Sequence, residues 1–135
     1  MSEIKVDNLT GKTSAGDITV TSEGGAATMQ LQQGLAKMWA FYRQGLGASQ
    51  ILYGSLNVTS LTDAGTGETT LSFVNQMNNA TDNAISITVG SGLNNRNSVF
   101  NLPRTNLVKI ETYTIDTRSA SDCQEISTIV HGGLA

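Results

Sequence analysis

Few residues in this 135-residue chain could do covalent or metal chemistry, and their spacing decides against it. His131 is the single histidine and Cys123 the single cysteine. A transition-metal site needs several such ligands, and a catalytic nucleophile needs a base beside it. Cys123, between Asp122 and Gln124, has no cationic neighbour in sequence to favour its thiolate, so it reads as a small buried apolar residue. His131 reads as an ordinary strand-end residue. Asp63-Ala64-Gly65-Thr66-Gly67-Glu68 has the glycines of a phosphate loop but lacks its lysine and its helix, so it reads as a turn. Asp82 and Asp116 lack the spaced run of oxygen ligands of a calcium loop. The acids are dispersed through polar turns, whereas glycoside hydrolysis wants two carboxylates at a set separation in a cleft. We therefore expect no catalytic residue, no cofactor and no metal ligand.

What remains is recognition without turnover. Trp39, Phe41 and Tyr42 could stack on a sugar, but such a cluster reads first as core or subunit interface. The loops 75–83 and 92–97 are rich in Asn and poor in charge. Asn78, Asn79, Asn94, Asn95 and Asn97 are the candidate receptor contacts. Asn57-Val58-Thr59 and Asn79-Ala80-Thr81 fit the glycosylation pattern, but no secretory signal is visible to give them meaning.

These residues must be held by strands. Leu56 and Val58 alternate with polar neighbours, as do Leu71 and Phe73, with Asp63-Ala64-Gly65-Thr66-Gly67 turning between them. Leu61 is out of phase with Leu56 and Val58, so a bulge is expected near Ser60-Leu61. Further strands are expected over 84–89, 98–102, 107–116 and 123–130. Stretch 29–43 fits either a helix (Leu31, Leu35, Met38, Tyr42) or a strand. The strand reading puts Trp39 and Phe41 on one face and Met38, Ala40 and Tyr42 on the other, and it is favoured because Gly34 would weaken a helix by about 1 kcal/mol. Six or seven short antiparallel strands predict an all-β, jelly-roll-like sandwich over 34–135. Residues 1–33 hold no aromatic residue. They read as an extended N-terminal arm with strand fragments at Ile4-Lys5-Val6 and 17–21, joined onward by a flexible Glu23-Gly24-Gly25-Ala26-Ala27 segment.

Composition points the same way. With 17 Thr, 13 Ser, 11 Asn and 14 Gly, uncharged polar residues cover the surface, as in turn-rich β folds. A net charge of −3, with the eight Lys and Arg scattered, argues against nucleic acid, which needs a basic face. No apolar run approaches the roughly 20 residues of a membrane span. A lone cysteine makes no internal disulfide, so stability must come from packing or from other copies of the chain.

Leu31-Gln32-Gln33-Gly34-Leu35-Ala36-Lys37-Met38-Trp39, followed by Leu56-Asn57-Val58-Thr59-Ser60-Leu61-Thr62-Asp63-Ala64-Gly65-Thr66-Gly67, resembles segments of fibre proteins of marine tailed bacteriophages. The start, Ser2-Glu3-Ile4-Lys5-Val6-Asp7 and Thr13-Ser14-Ala15-Gly16-Asp17-Ile18-Thr19-Val20, is similar to the N-terminal section of such fibres. The resemblance implies a homotrimeric tail-fibre or spike subunit, a structural protein of the virion assembled in the host cytoplasm. It implies attachment to other virion proteins through the N-terminal arm and a part in host-surface attachment. The chain is short and has no extended shaft, so a head fibre, a decoration protein or a tail connector are the neighbouring readings. A carbohydrate-binding module holding host glycan in its Asn-rich loops is the alternative of a different class.

Overall fold

Alternation of large apolar and small polar residues dominates the chain, and a computed structural model shows what it builds. The structure describes residues 3–14, 18–22, 24–25, 27–31, 34–45, 49–90, 95–101 and 103–134. These residues are all-β and contain no helix. The chain divides into two units, Met1–Leu35 and Ala36–Ala135.

In the first unit, β1 (Thr19–Thr21) pairs antiparallel with β2 (Thr28–Gln30). Gly24, Gly25 and Ala27 of the segment expected to be a flexible joint lie in the turn between these two strands; Glu23 and Ala26 lie outside the described residues. The Ser22 N–H donates to the Ala27 carbonyl (2.8 Å), and Gly25 donates back to the Ser22 carbonyl (2.8 Å) at a φ of 70°. Ile4-Lys5-Val6 is not a strand: it has no neighbouring strand to pair with, and both Ile4 and Val6 are exposed.

The second unit is a sandwich of two four-stranded antiparallel sheets. One runs β4-β3-β10-β7, from β3 (Ala36–Arg43), β4 (Ile51–Leu56), β7 (Ala84–Val89) and β10 (Ile126–His131). The other runs β5-β6-β9-β8, from β5 (Val58–Gly65), β6 (Glu68–Phe73), β8 (Arg96–Asn101) and β9 (Leu107–Thr114). The strand reading therefore holds over 36–43, and the helical one does not; residues 32 and 33 lie outside the described residues. Met38, Ala40 and Tyr42 of β3 and Ile126 and Val130 of β10 meet Leu71 and Phe73 of β6 and Val108 and Ile110 of β9 in one core. Each large side chain buried there contributes about 1.5–3 kcal/mol.

Eight strands stand where six or seven are expected, because 51–59 is two strands. Asn57 takes a φ of 59° and passes the chain from one sheet to the other. Asn tolerates this left-handed region better than branched residues do. Its amide holds the corner: Nδ2 donates to the carbonyls of Lys37 (3.0 Å) and Asn75 (3.0 Å), and Oδ1 accepts from the Asn75 N–H (2.6 Å). The expected bulge lies next to the corner, where the register slips between Val58 and Ser60. The 63–67 turn forms as read: Asp63 Oδ1 accepts from the Gly65 N–H (2.9 Å), and Gly67 sits at a φ of 72°.

Candidate functional site

The two sheets bury one face each, so their outer faces show what the molecule offers to others. The outer face of β5-β6-β9-β8 is polar. Ser72, Thr70 and Glu68 of β6 stand beside Leu107, Lys109 and Glu111 of β9. Lys109 bridges Glu68 (2.8 Å) and Glu111 (3.6 Å), and these two carboxylates hold the ammonium above the usual lysine range.

The outer face of β4-β3-β10-β7 is different. Trp39 and Phe41 point away from the core because Met38, Ala40 and Tyr42 point into it. Register places Trp39 between Leu56 on β4 and Ile129 on β10, and Arg43 beside Ile51. The pairing of β3 with β4 slips between Phe41 and Tyr42, which leaves Tyr53 as the extra residue of β4. Its ring lies against Phe41, with centroids 5.2 Å apart and planes tilted 34°. Trp39 lies over Gly54, where an added Cβ would come within 3.3 Å of the indole. Six large apolar side chains, Trp39, Phe41, Ile51, Tyr53, Leu56 and Ile129, are thus each between 36% and 52% exposed on one sheet face. The strands that form this face place no carboxylate on it; Arg43 is its cation, while Lys37 is buried at the register slip between Ala36 and Met38. A sheet face open to water normally alternates to polar residues, and contiguous exposed apolar surface of this kind marks an interaction site.

The sequence pointed to part of this face. Trp39 and Phe41 were read as sharing one side of a strand and as core or interface. Tyr53, Ile51, Leu56 and Ile129 were missed, although a signal existed. In 36–43 both alternating faces are apolar, and 51–56 is apolar at four of six positions. Such strands have no solvent side.

The predicted receptor contacts are not brought together. Asn79 closes its own turn: Oδ1 accepts from the Thr81 N–H (2.9 Å) and hydroxyl (2.8 Å), while Nδ2 donates to Asp82 (3.1 Å). Asn78 packs its amide against Gly133, where a Cβ would come within 2.5 Å. Asn95 clamps the end of β9, accepting from the Ile115 N–H through both its carbonyl and its Oδ1 (3.2 Å each) and donating to Asp116. Asn97 lies in β8, not in a loop, and its Oδ1 accepts from the Ser98 N–H (2.7 Å). Asn94 lies outside the described residues.

Cys123 is buried at 2% exposure. Burial pushes its thiol above the ordinary value, with the Thr112 hydroxyl and Arg96 pulling less strongly the other way. It borders a buried polar cluster. Gln44 Oε1 accepts from the Cys123 N–H (2.8 Å), and Gln44 Nε2 donates to Thr69 Oγ1 (3.1 Å), which donates to Gln50 Oε1 (3.1 Å). Thr112 Oγ1 lies 2.7 Å from Gln44 Oε1 and 2.6 Å from the Ser121 carbonyl, so its one proton serves one of them at a time. His131 is half-buried at the end of β10, opposite Ala36 and Ala84. Among the described residues no three His, Cys, Asp or Glu side chains gather closely enough to hold a metal, and no helix is long and apolar enough to cross a membrane.

No family model matches this chain, and neither the curated proteins nor the solved structures contain a match to it.

Proposed function

We propose that this chain is a structural subunit of a virion, a self-associating β-sandwich that forms a trimeric tail fibre or spike of a tailed bacteriophage. Residues 1–33 attach it to other proteins of the particle, and the sandwich takes part in contact with the host surface. The observation that carries the self-association is the outer face of β4-β3-β10-β7. Its aromatic and aliphatic side chains stand exposed in a chain whose other outer face is mostly polar, with Val99 and Leu107 set among charged and hydroxyl side chains. Aromatic residues with few charges are the composition of interface cores, and the same face on two further copies can close this one around a three-fold axis. The phage assignment rests on the likeness of 31–39 and 56–67 to fibre segments. Binding and shape are the work of the molecule: the carboxylates that do approach each other, Glu68 and Glu111, meet around Lys109 on an open sheet face and not in a cleft.

Sedimentation of the full chain at micromolar concentration tests this. The expected mass is three times the chain mass of 14.2 kDa. A monomer would overturn the reading and favour the carbohydrate-binding module.

A further inference from the structure

Strands β7 and β8 are the edges of the two sheets on the same side of the sandwich. Between them runs a groove of about 420 Å3 lined by Ile85, Ile87, Asn97, Ser98, Val99 and Phe100. Four consecutive residues of β8 line it. Side chains alternate along a strand, so a consecutive run can face one groove only through its backbone edge. The phase of the ladders agrees. The Ile115 N–H donates to the Asn95 carbonyl (3.2 Å), and bonded pairs alternate along an antiparallel ladder. The backbone groups of Arg96, Ser98 and Phe100 therefore turn away from β9 to the free edge. Likewise Gly90 donates to the Glu125 carbonyl (2.7 Å), which turns the backbone groups of Ile85, Ile87 and Val89 away from β10. No described residue outside the two sheets is bonded to these edge groups; within β8 itself the Ser98 N–H is covered by Asn97 Oδ1 (2.7 Å).

A bare edge is normally guarded by charge, proline or a bulge. Ala84–Val89 has none of these, and its register with β10 is unbroken. The only charged residue of β8 is Arg96 at its start, and its Nη1 donates to the Asn95 carbonyl (3.3 Å). All six lining residues are uncharged, so an ionised group entering the groove would lose its hydration without a partner.

We propose that β8 accepts an extended strand from a second polypeptide, uncharged along its centre and apolar at alternate positions. The incoming backbone takes the Ser98 N–H from Asn97 Oδ1 and pairs with Ser98 and Phe100, and its apolar side chains lie against Ile85, Ile87 and the Phe100 ring. Main-chain hydrogen bonds supply the affinity and the alternating pockets supply the selectivity, as in other strand additions. The site is separate from the Trp39 face and does not depend on the oligomer.

The test titrates the full chain with the capped peptide acetyl-Lys-Thr-Val-Thr-Val-Thr-Val-Thr-Lys-amide, followed by calorimetry and by backbone amide NMR. Saturable binding that shifts the Ser98 and Phe100 amides is expected, and the same peptide N-methylated at its central valine should not bind. Ser98→Pro should weaken binding about five- to tenfold, since it removes a donor that faces the edge while leaving the bonds to β9 in place. Should Ser98→Pro misfold, the N-methylated peptide on the native chain carries the test alone. No binding up to millimolar peptide, equal binding of the methylated peptide, or shifts confined to the Trp39 face would overturn the proposal. A neutral oligosaccharide shifting Ser98 and Phe100 where the peptide does not would overturn it too.

Discussion

Asn57 turns the chain from one sheet to the other and ties the turn to two distant strands' ends with a single amide. Replacing it separates its two contributions. Asn57→Gly keeps the φ of 59° accessible and loses the three amide bonds, at a cost of about 1–2 kcal/mol. Asn57→Ala adds left-handed strain and should cost about 2–4 kcal/mol, read as a shift in urea midpoint with unchanged slope. The sequence hid this corner. Asn57 is a polar residue between Leu56 and Val58, so it fits the alternation of one continuous strand. What bends it are carbonyls twenty and eighteen positions away. The Asp63 turn was legible because its partner is local: Asp63 bonds Gly65, two residues on. The Gln44 cluster was illegible for the same reason as Asn57, since its partners come from 69, 112 and 123. Gln44→Leu strands the Cys123 N–H in a dry interior and should destabilise by about 2–4 kcal/mol in the same unfolding experiment.

Burial of Cys123 also carries a pH signature. A thiol whose folded pKa lies above its unfolded one favours the folded state while both are protonated. The contribution is complete below the ordinary thiol value of 9.0 and is lost as pH rises from there through the higher folded value. Tyr42, whose phenol is raised by burial first, with Thr128 pulling it down slightly, acts in the same direction above 10.0. Lys37, lowered by burial, acts in the opposite direction. The thiol part is isolated by comparing the native chain with Cys123→Ala: the fall in stability between pH 8 and about 10 should be shallower in the variant. Equal slopes would place the thiol in water when folded.

At the scale of elements, strands that bury one face were easy to read and the others were not. β6 alternates buried and half-buried residues throughout and β9 does so as far as Thr112, and their alternation is plain in 68–73 and 107–112. β3 and β4 are apolar on both faces, and no local pattern says which face meets the core. Register with β10 settles it, and register is a property of two strands. The consequence is testable on the outer face. Trp39→Lys and Phe41→Lys place charge where no carboxylate waits, so they should convert the proposed trimer to monomer in sedimentation. The sandwich should keep its melting temperature within a few degrees, because neither side chain belongs to the core. Gly54→Val should act in the same direction by pushing the Trp39 ring off its strand.

For the whole molecule, an apolar interface without opposed charges predicts that the proposed trimer survives salt and is sensitive to cold. Mass in solution should not fall between 0.05 and 0.5 M sodium chloride, since Arg43 meets no carboxylate there and salt can only screen its repulsion. Dissociation should increase toward 4 °C, as burial of apolar surface weakens on cooling. The division after Leu35 gives a further outcome. The core draws only on residues 38–130, so a chain of 36–135 should unfold in one cooperative transition close to that of the full chain.

The first and last strands of the sandwich are neighbours: Ala36 of β3 is the register partner of His131 of β10. β3 therefore has to wait for nearly the whole domain to leave the ribosome before its central partner exists. Until then it can pair only with β4, with Trp39 and Phe41 uncovered on one side and Met38 and Tyr42 on the other. Closing so long a loop is slow, on the order of milliseconds to seconds for sandwiches. The nascent protein is thus most prone to stick to itself during synthesis, and a chaperone that holds 36–56 would act at that step.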